Sequence, residues 1–266
     1  MKKQRPIQPP ESYEHCRAYL SPEEFAKLDR EMRRADMPLE AVPKFDFIPA
    51  FLDKAEAAAL FDGLMRLPGF KFETGSCTLE ACHLTVQYGP RQAYFDCVPE
   101  IYRVKSSGDI PPFLAAIQAG LEGKYDCSFN SCQINMHPDN TTVVHPHKDS
   151  NPGHICQISV GATREFVLTY HCPIFHKFAR IPLTSGSLLT FFPKHQHRMQ
   201  HEMPRSETPC GTKFSVIFRY IPAIITKKFI ADAKSAAEAD EIRRLRDEEY
   251  QAAQIAGREK RRLACA

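Results

Sequence analysis

Between Val143 and His154 the chain reads VVHPHKDSNPGH, which places His145, His147, His154 and Asp149 within twelve positions. Imidazole and carboxylate are the ligand types of divalent iron in oxygenases, where two rings and one carboxylate take one face of an octahedron and leave the rest open. A His-x-Asp pair suits that geometry, because residues i and i+2 of a strand point to the same side. Two such pairs stand close together here, His147 with Asp149 and His137 with Asp139. A third ligand must come from a distant strand, and His195, His197 and His201 all follow. Residue types alone leave the choice among these open, since a single His or Asp is more often a hydrogen-bonded residue than a ligand.

The cysteines offer a poorer ligand set. None of the ten is spaced Cys-x-x-Cys. Cys77 and Cys82 have no second pair at zinc-finger spacing, so plain thiols are the simpler reading. Cys132 and Cys156 sit inside apolar runs, where buried thiols are ordinary. The pattern predicts a reducing compartment with no disulfide framework.

The elements that must position the histidines belong to a chain of 266 residues, a length that suits one large domain with appendages. The formal charge of +3 does not by itself mark a nucleic-acid binder. No apolar stretch approaches the roughly 18 residues of a membrane span, and MKKQRPIQPPESYEH has no apolar core for a signal peptide. The expectation is a soluble intracellular protein, cytoplasmic or nuclear, that works as a monomer away from membranes.

Residues 1–42 read as an extension: a Pro- and charge-rich start, then a short amphipathic helix opened by a capping-box-like Ser-x-x-Glu at Ser21. A strand is expected at Phe45 to Ile48, and a helix from about Asp53 that ends at Gly69. Residues 74–107 are short, polar and turn-rich. PPFLAAIQAGLEGKY follows as a helix with Pro at its start. From Ser128 the period changes to two, in FNSCQINMH, ICQISVGA, REFVLTYHC, ARIPLTSGSLLTFFP and KFSVIFRYI, which is the spacing of an antiparallel barrel or sandwich. From about Lys227 the tail reads as one long surface helix with alternating charges.

The order of these pieces carries a resemblance. HKD, a strand, a second strand, a Gly turn in TSGSLLTFF, a histidine in QHEMPR and the closing strand KFSVIFR resemble the AlkB-like branch of the 2-oxoglutarate and Fe(II)-dependent dioxygenases. In that branch a double-stranded β-helix carries His-x-Asp, a later His and a basic-x5-Arg strand in this order. The likeness covers roughly residues 43 to 222. It implies an α+β fold with a double-stranded β-helix (jelly-roll, cupin-like) core at about 128–220, flanking helices, a substrate lid at about 74–107 and a charged C-terminal helix over 223–266. It also selects His147, Asp149 and His201 as the ligands of Fe(II), leaves His137 and Asp139 to a turn formed with Pro138 and Asn140, and makes His145 a supporting neighbour.

The same likeness maps the contacts to 2-oxoglutarate. The end that chelates iron falls to Asn135 and Arg219, which match the family. The far carboxylate falls to Lys213, His137 and Ser215, where the family has Arg, Tyr and Asn. Lys is a point charge where Arg is a planar fork, so this implies a rebuilt grip with one positive charge and two donors. In the family the lid recognises substrate, and Arg91, Gln92 and Tyr94 in YGPRQAYFD are the corresponding residues, with Tyr88 and Tyr94 as stacking rings. HCPIFHKFAR, from His171 to Arg180, is a second basic stretch. The implied activity uses Fe(II), O2 and 2-oxoglutarate to oxidise an N-methyl or related group on a base in modified DNA or RNA. Two other functions fit the same residues: an oxygenase acting on a protein side chain or small molecule, and a non-catalytic binding module whose far-end pocket is degenerate.

Overall fold

A computed structural model of the chain describes residues 22–23, 45–73, 83–91, 103–149, 152–170, 179–193, 199–227 and 235–264. Eleven strands form two antiparallel sheets among these residues. They are β1 (Phe45–Ile48), β2 (Lys71–Glu73), β3 (His83–Tyr88), β4 (Ser131–His137), β5 (Val144–His147), β6 (Ile155–Gly161), β7 (Arg164–Tyr170), β8 (Ala179–Leu183), β9 (Ser187–Phe191), β10 (Met199–Met203) and β11 (Lys213–Arg219). The larger sheet has the order β1-β9-β6-β11-β4-β3-β2, and the smaller has β5-β10-β7-β8.

The period-two sequence decides which residues lie on which face. On one face of the larger sheet Val86, Ile134, Ile158, Val160, Phe214 and Val216 pack under two helices, α1 (Lys54–Met65) and α2 (Pro112–Tyr125). The other face meets the smaller sheet, where Phe45, Ile155, Leu189 and Phe191 join Phe166, Leu168, Ile181, Met199 and Met203 in a second core. The helices are placed by local chemistry. Asp53 caps α1 by accepting from the Glu56 amide at 2.8 Å, while the Glu56 carboxylate accepts from the Asp53 amide at 2.8 Å. The chain entering α1 is pinned where the Phe51 and Leu52 amides donate to the Gly186 carbonyl at 2.9 and 3.0 Å. Gly186 has φ +84°, and a Cβ there would lie 2.6 Å from the Leu52 carbonyl oxygen, so the β8–β9 turn requires glycine.

Three boundaries differ from expectation. Residues 83–88 were expected in a lid; they form β3, hydrogen-bonded along β4, because Leu84, Val86 and Tyr88 supply an apolar face to the helix side of the sheet. Helix α1 stops at Met65, four residues short of Gly69. The tail is not one helix: α3 (Ala223–Lys227) precedes α4 (Ala236–Ala264). These two meet through Ile221, Ile225 and Ile242, and Glu249 of α4 accepts from the Ala223 amide at the start of α3. Further along α4, Gln254 accepts from the Ser128 amide at 2.8 Å and Arg261 donates to the Cys127 carbonyl at 2.8 Å. Cys127, Cys132 and Cys156 are buried free thiols. Among the described residues no helix is long and apolar enough to cross a membrane. Apart from Pro22 and Glu23, the N-terminal helix expected from Ser21 lies outside the described residues.

Candidate metal centre

Strands β5 and β10 pair so that His147 stands opposite His201. Asp149 follows two residues after His147, at the end of β5. One ligand atom from each of the three lies within 4.8 Å of the others, and no other such His, Cys, Asp or Glu group occurs among the described residues. The rings of His147 and His201 are 4.1 Å apart at their centroids, and His201 Nε2 is 3.7 Å from Asp149 Oδ2. His201 also packs against Phe166 and Phe191, which neighbour each other and lie 5.4 Å from its ring, and this holds the ring in one orientation.

The surroundings set the protonation states that metal binding needs. Burial, reinforced by the neighbouring His147, pushes His201 down to about 3, so its imidazole is neutral. Burial by itself would raise Asp149, but its electrostatic interactions with His201, Arg219 and His147 outweigh it and hold the carboxylate below its usual range. His147 Nδ1 is 2.8 Å from the His145 carbonyl, which accepts from it and leaves Nε2 for a ligand. His145 therefore supports the centre through its backbone, with its own ring half-buried beside it. Two imidazoles, that of His201 neutral, and an ionised carboxylate, oriented from behind, fit a divalent iron.

The rival pair does not converge. His137 is the last residue of β4 and not part of the turn. Asp139 is exposed in that turn and accepts from the amide and hydroxyl of Thr141 at 2.7 Å. His195 and His197 lie outside the described residues. His154 packs against Tyr125 and Phe192, which also touch each other, and burial lowers it to about 4, which suits a structural ring.

From the metal end a polar row runs inward along the larger sheet. Arg219 donates to Asp149 at 3.3 Å and to the Gln133 side-chain oxygen. Gln133 in turn donates to Asn135 at 2.9 Å, and Thr85 donates to the same Asn135 oxygen at 3.0 Å. The two family-matching residues, Asn135 and Arg219, are thus joined through Gln133. Three pleats from Arg219 on β11, Lys213 donates to Ser159 at 3.0 Å, Ser215 at 2.9 Å and the Phe214 carbonyl at 3.3 Å. His137 stands opposite Lys213 in the register, and its ring is 5.3 Å from that of His83 on β3.

Sequence reasoning missed His83, Gln133, Gln157, Ser159 and Arg164. Their signal was a polar residue at every second position of strands whose other residues are apolar, which in a sheet covered on both faces means a polar interior. Arg164 carries a different load: it donates to the carbonyls of Asp139, Thr142 and Pro204 at 2.7–2.8 Å, tying the β4–β5 loop to the segment after β10.

Of the lid residues, Gln92 and Tyr94 lie outside the described residues, as do positions 171–178 of the second basic stretch. Arg91 follows a turn that Gln87 fixes by donating to the Pro90 carbonyl at 3.0 Å and to Ser131 at 2.9 Å. Tyr88 is buried against the helices, so the expectation that it stacks on an extruded base is corrected. Arg180 pairs with Glu165.

No protein-family model matches the chain, and no curated protein matches its sequence. Solved structures do match. One, described as the structure of OsALKBH1, superposes with a TM-score of 0.54 at 15% identity, over 67% of this chain and 97% of that one. The fold is the double-stranded β-helix of the 2-oxoglutarate oxygenases. A prolyl-4-hydroxylase of Pseudomonas putida also matches, at 12% identity with a TM-score of 0.44, over 68% of this chain and 95% of that one. On this double-stranded β-helix the candidate metal centre lies on the smaller sheet and the polar row on the larger.

Proposed function

We propose that the chain is an Fe(II)- and 2-oxoglutarate-dependent dioxygenase of the AlkB-like kind, acting on an N-methylated or otherwise modified base in DNA or RNA. The observation that carries the reading is the presence, inside one oxygenase fold, of a His147–Asp149–His201 donor set and a buried lysine facing the same interior. Bound iron, with O2 and 2-oxoglutarate, supplies oxidation of a substrate C–H bond, releasing succinate and carbon dioxide; a hydroxylated N-methyl group then leaves as formaldehyde.

The residues divide that work. His147, Asp149 and His201 hold the metal. Arg219 keeps the Asp149 carboxylate oriented and, with Asn135, meets the chelating end of the oxo acid. Lys213, Ser215 and His137 take the far carboxylate. Arg91, Gln92 and Tyr94 contact the nucleic acid, Arg91 by pairing with phosphate. The assignment to nucleic acid rests on the sequence resemblance and on Arg91 leaving the sheet at a fixed turn.

A non-catalytic module would have no use for a buried cation held without a carboxylate, which favours the enzyme. The test is succinate formation from 2-oxoglutarate by the full chain with Fe(II), against a panel of oligonucleotides bearing modified bases. Stimulation by one of them, with the matching loss of the modification, is expected. Succinate formation that no oligonucleotide stimulates, together with no salt-dependent nucleic-acid binding, removes the nucleic-acid assignment and leaves a protein or small-molecule oxygenase.

A further inference from the structure

At the end of the interior away from the metal, three basic side chains stand in a row on adjacent strands. His83 is on β3, His137 on β4 and Lys213 on β11, and they are 8%, 1% and 0% exposed. Among the described residues the direct neighbours of the lysine ammonium are two hydroxyls and a carbonyl, and no carboxylate pairs with it. His137 Nδ1 is buried without a hydrogen-bond partner. The charged and titratable groups bearing on this row from the surrounding elements are Arg164 of β7, which adds a second positive charge, and His147 of β5, which bears on His83. Asp139 and Cys210 bear on Arg164.

A buried cation without a counter-ion is unfavourable, and the protein relieves it by giving up the proton. Burial, then the nearby Arg164, lowers Lys213 to about 7. Burial also lowers His137, with His83, Lys213 and Arg164 adding to it. Lys213 is therefore close to losing its charge under ordinary conditions. An entering carboxylate reverses this, because an opposite charge within hydrogen-bond reach favours the protonated form.

We propose that Lys213 and His137, backed by His83, form a proton-accepting grip: the far carboxylate of the oxo acid enters together with one proton, which the pair takes from solvent. The proton is lost by solvent or buffer acid and gained by the Lys213–His137 pair, with no other bond made or broken. The inference rests on the reading that this interior takes 2-oxoglutarate. It differs from a grip built on arginine, which keeps its charge throughout and binds without proton exchange. The sign follows from linkage. Below about 7 Lys213 already carries its proton, so binding needs no further one and affinity is flat. Above that, affinity falls by up to about tenfold per pH unit until the pKa of the occupied row is passed.

The experiment is calorimetric titration of 2-oxoglutarate into the Mn(II)-loaded full chain at about pH 8, in buffers of different ionisation enthalpy, alongside the pH profile of Kd. The wild type is expected to take up close to one proton, and Lys213→Arg close to none with a flat profile. If Lys213→Arg does not fold, the wild-type proton count and profile decide alone. Binding without proton uptake, a flat wild-type profile, or equal uptake by Lys213→Arg overturns the grip while leaving the oxygenase reading intact. Absence of 2-oxoglutarate binding at every pH overturns both.

Discussion

At the metal end of the interior, Asp149 lies between Arg219 at 3.3 Å and His201 at 3.7 Å, so charges of opposite sign already meet. At the other end Lys213, His137 and His83 lie together with only hydroxyls and a carbonyl as direct partners of the ammonium. At the first site the side chains are oriented by their neighbours, Arg219 against Asp149 and the His145 carbonyl against His147. At the second, the clustered basic side chains fit an anion. One fold thus prepares a cation site on the smaller sheet with an excess of donors and an anion site on the larger sheet with an excess of basic groups.

Removing the carboxylate from the metal end has the largest expected effect. Asp149→Ala takes away a ligand and leaves Arg219 facing two imidazoles, so metal affinity and succinate formation fall by more than the about 10–100-fold typical of losing an outer partner. Arg219→Gln tests that outer tier itself: about 10–100-fold lower turnover is expected, and an unchanged rate would mean that Asp149 needs no such support.

At the far end the expected effects on stability and on binding have opposite signs. Lys213→Met replaces an unpaired buried cation with an apolar chain of similar length, so the fold becomes more stable, by about 1–4 kcal/mol on the scale seen when buried charges are replaced. The same variant loses 2-oxoglutarate affinity by at least about 100-fold, because a charge-assisted contact is gone. The pH dependence supplies a sign. Lys213 is depressed from 10.5 to about 7 in the folded chain, so in that window the unfolded chain binds more protons and this residue makes stability rise with pH. Urea titrations should show that rise in the wild type and its loss in Lys213→Met. Ser159→Ala is the mildest change: it removes one acceptor from the ammonium and costs about 1 kcal/mol, detectable as a lower urea midpoint.

The metal end was legible in the sequence because its information is in residue types and their order. Residue types left several histidines open there; the resemblance selected His147, Asp149 and His201, which the structure brings together, and period-two patterning marked the strands around them. The far end was only half legible. Lys213, Ser215 and His137 followed from position in a resemblance, but His83 and Ser159 come from β3 and β6, whose approach to β4 and β11 depends on strand order and register. Strand β3 was lost for a related reason: Thr85 and Gln87 face inward, so its polar half looked like the exterior of a lid. The start of α4 was placed too early because charge-rich sequence precedes Ser235, whose hydroxyl accepts from the Glu238 amide at 3.1 Å at the helix start.

The central claim is that this interior binds 2-oxoglutarate against iron and oxidises with it. The most direct measurement is succinate produced from 2-oxoglutarate by the wild type and by Asp149→Ala, with and without Fe(II) under air. The account predicts Fe(II)-dependent succinate in the wild type and none above background in Asp149→Ala. Equal succinate from both proteins, or none from the wild type even with its substrate panel, would contradict it.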